Sequence, residues 1–78
     1  MPTALAVRFR LHDVLRERRE AGRELTQSEL SRRSGVSMTT INAMANNKTA
    51  QVSLATLDAL CGALGVEPGE LLEREADA

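Results

Sequence analysis

Apolar residues recur along this chain in short helical stripes, and each stripe is preceded by residues that favour the start of a helix. Thr26 is a good N-cap residue, and Glu29, three positions later, completes a capping box. Leu25 and Leu30 flank this cap as a hydrophobic staple. Gly35 then supplies the left-handed residue that commonly ends a helix. The pattern predicts a helix that begins after Thr26 and ends at Gly35.

The same pattern restarts directly after this glycine. Ser37 can cap a further helix, with Val36 and Ile41 as its hydrophobic staple. Two helices joined by a short turn that contains glycine form the helix-turn-helix unit, whose second helix can enter a DNA major groove. The two stripes together therefore predict a helix-turn-helix.

Three more helices follow from the rest of the pattern. The first is predicted from about Leu11 to near Gly22, and Pro68 suits the first position of the fifth. Between them, Ser53 is predicted to cap a fourth helix that Gly65 closes. The apolar stripe expected along this fourth helix comprises Leu54, Leu57, Leu60, Cys61 and Leu64.

A short segment before the first helix has a different period. Residues 6–10 alternate between apolar and polar, which is typical of a strand or an extended arm. We therefore divide the chain into an arm or strand over residues 1–10, a helical domain over 11–73 and a frayed tail over 74–78. The fold class is all-α, and the side chains expected to be almost fully buried are Leu30, Ile41, Leu57, Leu60 and Leu64.

The chain from about Leu11 to Leu72 resembles the lambda-repressor-like, or Cro/XRE-type, helix-turn-helix family, and within it the small stand-alone regulators. The matching motifs are Leu25-Thr26-Gln27, Glu29-Leu30, Gly35-Val36-Ser37, Thr40-Ile41, Asn46-Asn47-Lys48-Thr49, Leu54-Ala55-Thr56-Leu57, Ala63-Leu64-Gly65-Val66, Pro68 and Leu71-Leu72. The resemblance implies a five-helix DNA-binding domain that acts as a sequence-specific transcriptional regulator on double-stranded DNA. Arg23 and Glu24 depart from the family pattern as an insertion that lengthens the first turn.

The third helix has two faces of different chemistry. Ile41, Met44 and Ala45 repeat at core spacing, whereas the opposite face is uncharged and carries only short or apolar side chains. Methyl groups on such a face can meet thymine methyls, and an asparagine can pair with an adenine edge. By resemblance, the residues that contact bases are Met38, Thr39, Asn42 and Ala43. The alternative is a weakly polar face that is solvated or covered by a protein partner.

Residues near the starts of the second and third helices, and in the loop after the third, match family positions that contact DNA phosphates. The resemblance assigns this role to Gln27, Ser37, Thr40, Asn46, Asn47, Lys48 and Thr49. Free amides at a helix start favour an anion in any case. Asn47 replaces the usual glycine of this loop, so we expect it to have a positive φ and expect glycine to be tolerated there.

Charge is unevenly distributed along the chain, although the net charge is only −1. Residues 1–35 hold eight arginines against five acids, whereas residues 36–78 hold two basic residues against six acids. Such a surface can present a basic side to phosphates. Arg8 and Arg10 either reach DNA or line the outer side of the arm, and both interpretations stay open. Arg32 and Arg33 are better explained as complements to a helix dipole.

Other chemistry finds little support in the sequence. Cys61 lies in an apolar stripe and is expected in the core, and His12 has no partners at the spacing of metal ligands. No catalytic set and no glycine-rich phosphate loop is present, so we expect neither enzymatic activity nor a cofactor or metal. No apolar run approaches the roughly 20 residues of a membrane span. We expect a cytoplasmic protein.

A chain of 78 residues with one aromatic side chain supports only a small aliphatic core, which favours oligomerisation. Val7, Phe9 and the Leu71-Leu72 pair supply more apolar surface than a small monomer needs, and an unpaired arm can pair with a strand of a second copy. We therefore expect a homodimer. The main alternative function is a protein-interaction module of the antitoxin or anti-repressor type, which the neutral face and acidic balance favour. Another alternative is a subunit that binds DNA only within a larger complex.

Overall fold

The computed structural model describes residues 7–49 and 51–74, which form five helices and a two-stranded antiparallel ribbon. This confirms the predicted five-helix fold with a short N-terminal strand. In chain order the elements are β1 (Val7–Phe9), α1 (Leu11–Glu20), α2 (Gln27–Ser34), α3 (Met38–Ala45), α4 (Leu54–Leu64), α5 (Pro68–Leu71) and β2 (Leu72–Arg74).

The helix ends lie where the capping residues predicted them. The side chains of Thr26, Ser37 and Ser53 each accept a hydrogen bond from the backbone N–H three residues further on. Gly35 and Gly65 end α2 and α4 in the left-handed conformation, with φ of 77° and 69°. Each cap satisfies amides or carbonyls that the helix itself leaves without partners. Local sequence therefore sets the limits of α2, α3 and α4.

The two ends of the described chain meet in the ribbon. Val7, Arg8 and Phe9 pair with Arg74, Glu73 and Leu72 respectively, in antiparallel register. The expectation of an unpaired arm is therefore wrong, because the short helix α5 is followed at once by an extended segment that runs back along β1. Arg74, which the sequence placed in a tail, is the last residue of β2. The rest of the predicted arm and tail lies outside the described residues.

A single aliphatic core connects all five helices and the ribbon. Its fully buried side chains are Leu11, Leu30, Ile41, Met44, Leu60 and Leu71, and Leu57, Leu64 and Cys61 are also buried. The five core residues named from the sequence are all confirmed. Phe9 and Leu71, which had been counted as surplus apolar surface, are part of this core instead. The ribbon thus completes the core of one molecule.

Leu54 is the exception in the predicted stripe of α4, because its side chain is 83% exposed. It is the first residue of the helix. At about 100° per residue it lies about 60° from Leu57, on the side of the exposed Asp58. Its spacing from Leu57 therefore placed it at the margin of the stripe, and the start of the helix leaves it in solvent.

No helix in residues 7–49 and 51–74 has the length and apolar character needed to cross a membrane.

Candidate nucleic-acid interface

The turn between α2 and α3 is held by two serine hydroxyls. The Ser31 hydroxyl donates to the carbonyl oxygen of Val36 at 2.6 Å. The Ser34 hydroxyl donates to the carbonyl oxygen of Leu30 at 2.7 Å and accepts from the Val36 N–H at 3.1 Å. Both sides of the Val36 backbone are therefore tied to α2, which fixes the entry to α3. The apolar pattern of the sequence does not mark these serines, although serine near a helix end often bonds nearby backbone in this way.

Helix α3 divides into two faces as its sequence predicted. Ile41 and Met44 are fully buried against the core. On the other side Met38 is 44% exposed, Thr39 and Asn42 are exposed, and Ala43 is half-buried. We call Met38, Thr39, Asn42 and Ala43 the outer face of α3. No residue of α3 carries a charge, so this surface offers methyl groups, a thioether, a hydroxyl and a carboxamide to a partner.

The carboxamide of Asn42 is held in place by the next turn of the chain. The Nδ2 of Asn46 donates to the Oδ1 of Asn42 at 3.2 Å and to its backbone carbonyl oxygen at 3.0 Å. An amide oxygen has two lone pairs, so the Asn42 Oδ1 keeps one for another donor. Recognition of an adenine edge requires one acceptor and one donor from the same carboxamide. Asn46 therefore orients Asn42 without using up its capacity for such a pair.

The predicted phosphate contacts at the helix starts lie at exposed or half-exposed positions. Gln27 is the first residue of α2 and is half-buried. The Ser37 hydroxyl accepts from the Thr40 N–H at 3.2 Å and donates to the Thr40 Oγ1 at 3.0 Å. Because the Ser37 hydrogen is engaged in this way, the Thr40 hydroxyl is the better donor of the two for a phosphate oxygen.

The loop after α3 closes the helix with a Schellman motif. Asn47 has a φ of 53°, which confirms the expected positive φ, and its N–H donates to the carbonyl oxygen of Met44 at 3.1 Å. The Lys48 N–H donates to the carbonyl oxygen of Ala43 at 2.8 Å, which is the long-range bond of this motif. The Lys48 side chain is exposed. The loop therefore has a defined backbone from which one lysine projects.

The side chain of Asn47 has a structural role that the resemblance did not imply. Its Oδ1 accepts from the Phe9 N–H at 2.7 Å, and its Nδ2 donates to the Phe9 carbonyl oxygen at 3.2 Å. The carboxamide is thus engaged with β1. Glycine would adopt the same backbone angles but would remove both bonds, so the tolerance of glycine expected from the backbone angle alone does not follow.

Arg8 and Arg10 lie within a network of ion pairs. The Arg8 guanidinium contacts Glu73 at 2.6 Å and Asp13 at 3.5 Å. The Arg10 guanidinium contacts Glu17 at 3.1 Å and Glu73 at 3.6 Å. Of the two interpretations left open by the sequence, this arrangement favours the one in which both arginines line the outside of the ribbon.

Among the residues that the structure describes, the remaining titratable candidates do not form a reactive site. Cys61 is buried, and burial together with the nearby Glu67, Asp58 and Glu70 raises the pKa of its thiol. In the described ranges, no three His, Cys, Asp or Glu side chains are grouped so that they could hold a metal ion. Arg32 and Arg33 are exposed in the last turn of α2, where their charges complement the helix dipole.

Comparison with known proteins decides the family. The family model for the Cro/C1-type HTH DNA-binding domain matches residues 11–77. The chain belongs to this family. It is 39% identical, over 57 residues, to the uncharacterized HTH-type transcriptional regulator YozG of Bacillus subtilis (strain 168). The matched segment covers 73% of this chain and 68% of YozG. A crystal structure from Bacteroides fragilis, provisionally described as a DNA-binding protein, superposes with a TM-score of 0.69 at 30% identity, covering 86% of this chain and 98% of that one.

These matches confirm the resemblance to Cro-type regulators. The protein is a DNA-binding transcriptional regulator, a class that performs no enzymatic reaction. The same matches do not favour the alternative of a protein-interaction module.

Proposed function

We propose that this regulator recognises specific double-stranded DNA by inserting α3 into the major groove. The observation that carries the proposal is the division of α3. Ile41 and Met44 are fully buried, while Met38, Thr39 and Asn42 are exposed on an uncharged face. A merely solvated face gains from charged side chains, whereas a face that reads base edges needs short groups capable of close approach. The outer face of α3 carries no charged side chain, as expected of a face that contacts base edges.

Each residue of the outer face has a proposed role. The Met38 side chain and the Thr39 methyl group contact thymine methyls, and the Asn42 carboxamide pairs with an adenine edge. Ala43 is small and half-buried, so it permits the groove wall to approach the helix. The bond from Asn46 to the Asn42 Oδ1 supports this role, because an oriented carboxamide loses less freedom on binding.

The phosphate contacts are proposed to lie on both sides of α3. Gln27, Ser37 and Thr40 supply polar groups near the starts of α2 and α3, where helix amides and dipoles favour an anion. The proposed contacts in the loop after α3 are Asn46, Asn47, Lys48 and Thr49. Lys48 provides the charge, and Asn47 contributes through the backbone geometry of the loop because its carboxamide is bonded to Phe9.

We also propose that the protein acts as a homodimer in the cytoplasm. Helix-turn-helix proteins commonly bind two half-sites about one helical turn apart, which requires two copies of the domain. The ribbon no longer supports a strand-exchange interface, since β1 already pairs with β2. Leu54, an exposed leucine at the start of α4, supports an interface elsewhere. Light scattering should give about twice the 8.5 kDa chain mass, and Leu54→Ser should lower the measured mass.

The test of the groove proposal compares a base contact with a phosphate contact. Lys48→Ala should weaken binding to specific and random duplexes alike and reduce the slope of log affinity against log salt by about 1. Thr39→Ala should weaken binding to the specific duplex alone, by about 1–3 kcal/mol of binding free energy. Arg74→Ala is the matched control, because it removes one exposed positive charge at the end of β2. Equal loss on both duplexes with Thr39→Ala would contradict the assignment of α3.

A further inference from the structure

The Asn47 carboxamide makes a two-point contact with the backbone of β1. It accepts from the Phe9 N–H at 2.7 Å and donates to the Phe9 carbonyl oxygen at 3.2 Å, across 38 positions of sequence. This is the pairing that a neighbouring strand would make. We call these two bonds the Asn47 clasp.

The free edge of β1 explains why the clasp forms there. The Arg10 N–H donates to the Leu71 carbonyl oxygen at 2.7 Å, so Arg10 bonds toward the β2 side of the ribbon. Antiparallel ladders alternate, and Phe9 therefore directs its N–H and carbonyl to the opposite edge. Backbone groups in folded proteins almost always find a partner. The Asn47 side chain supplies both partners for Phe9 at this edge.

The backbone conformation of Asn47 indicates that its side chain has a purpose. Asn47 is the one non-glycine residue with positive φ in the ranges 7–49 and 51–74. The Schellman turn itself needs only a left-handed residue, which glycine provides with less strain. Asparagine adopts this backbone conformation with more strain than glycine, but it supplies a carboxamide that reaches β1. The clasp is what that carboxamide does.

We propose that Asn47 is a positioning residue that holds the loop of residues 46–49 against β1 and thereby couples the terminal ribbon to DNA binding. This inference rests on the proposed function of that loop in contacting phosphates. Lys48 follows Asn47 directly, so the clasp sets where the lysine projects, whereas the Thr49 hydroxyl is held by the Gln51 backbone at 2.8 and 3.3 Å. The ribbon in turn is held to α1 by the ion pair of Arg8 with Asp13, and Arg10, which joins β1 to α1, pairs with Glu17.

The coupling operates in both directions. If the clasp favours the loop conformation that binds phosphates, DNA binding must favour the clasp by the same free energy, because binding linkage is reciprocal. The Phe9 side chain is buried in the core and is not proposed to touch DNA. DNA should nevertheless slow exchange of the Phe9 amide hydrogen, because that amide donates to Asn47. The Arg10 amide donates to Leu71 and not to the loop, so it serves as the internal reference.

The first experiment uses Asn47→Gly in the full chain, because glycine keeps the left-handed turn and removes only the clasp. Affinity for a random-sequence duplex is measured by fluorescence anisotropy, at a temperature where circular dichroism shows wild type and variant to be fully folded. The variant should bind about fivefold more weakly or worse. Its preference for a selected duplex over a random one should be unchanged, because the outer face of α3 is untouched.

The second experiment follows amide exchange by NMR with and without the random duplex. In the wild type, DNA should slow exchange at Phe9 more than at Arg10, and Asn47→Gly should abolish this difference. Should Asn47→Gly not fold, Asn47→Asp replaces it in this assay. Its carboxylate retains an acceptor for the Phe9 N–H but loses the donor to the Phe9 carbonyl. Because it also adds a negative charge to the loop, the comparison is made at duplex concentrations that saturate both proteins, where the DNA effect at Phe9 should be intermediate.

Two results would overturn the coupling and leave Asn47 as a residue of the turn alone. One is that folded Asn47→Gly binds DNA with the affinity of the wild type, and the other is that DNA does not change the exchange rate of the Phe9 amide. Failure of the proposed function looks different. In that case the wild type itself would not bind the duplex, or Lys48→Ala would bind as the wild type does, and the coupling would be refuted together with it.

Discussion

Replacing Ile41 with valine tests whether the inner face of α3 stabilises the fold while its outer face does something else. Ile41 is fully buried, and its neighbours in the core include the equally buried Leu30 and Met44. The substitution removes one methylene group and leaves a small cavity, which typically lowers the free energy of unfolding by about 0.5–1.5 kcal/mol. For a domain of this size, about 1 kcal/mol corresponds to a fall in Tm of about 4–8 °C.

The assay is urea denaturation followed by circular dichroism, with Met38→Ala as the matched variant on the same helix. Met38 is 44% exposed, so its truncation should change the free energy of unfolding by no more than about 0.5 kcal/mol. The slope of the free energy of unfolding against urea concentration should be the same in both variants, because neither substitution changes the surface exposed on unfolding by much. In DNA binding the order should reverse, with Ile41→Val near wild type and Met38→Ala weaker on a specific duplex.

Two results would refute this reasoning. If Met38→Ala destabilised the fold as much as Ile41→Val, the outer face would be part of the packing of the domain. If Ile41→Val left the Tm unchanged, α3 would not be anchored through Ile41, and its outer face would not be presented rigidly to a partner.

Three further predictions follow from single contacts. Thr26→Ala removes the side-chain cap of α2 and should lower the free energy of unfolding by about 1 kcal/mol in urea; no change would show that the capping box is unimportant. The Arg18 Nε is buried without a hydrogen bond to the described residues, while its Nη1 makes one long bond, at 3.4 Å, to the Leu64 carbonyl oxygen. Arg18→Met removes both the unpaired Nε and this bond, so the free energy of unfolding should change by no more than about 1 kcal/mol in the same assay; a larger loss would contradict this. Burial raises the pKa of Cys61 above its ordinary value of 9.0, so the stability that the neutral thiol provides below that value is lost as pH rises through the raised pKa. Wild type should therefore lose stability more steeply than Cys61→Ala as pH rises above about 9, and parallel curves would contradict the burial of the thiol.

The sequence predicted the parts of the fold that local interactions determine. Thr26 and Ser37 cap helices through bonds to residues three positions away, and Gly35 needs only its own backbone freedom to end α2. The buried Leu30 and Ile41 repeat at helical spacing, which places them on inner faces. These features depend on a few neighbouring residues, so they can be inferred without knowing how the chain closes on itself.

Long-range contacts account for what the sequence analysis missed. The partner of Arg8 across the ribbon is Glu73, and the partner of Phe9 outside the ribbon is Asn47. Neither pair shows a periodic pattern, because each arises only after the helices have packed. The prediction that Leu54 is buried was wrong for a geometric reason. Helical spacing gives the angle of a residue around the helix axis, but it does not show that Leu54 is the first residue of the helix. The base and phosphate contacts stay predictions, as they depend on a duplex.

The central claim is that α3 recognises a DNA sequence, and selection of duplexes from a random pool by the wild-type chain tests it most directly. Repeated selection at moderate salt should enrich one sequence motif. Affinity for that motif should exceed that for random duplex by about 10³-fold or more, and Thr39→Ala or Asn42→Ala should alter the motif at particular base pairs. Selection that enriches no motif, with every duplex bound equally at low salt, would contradict the account and favour a protein partner for the outer face of α3.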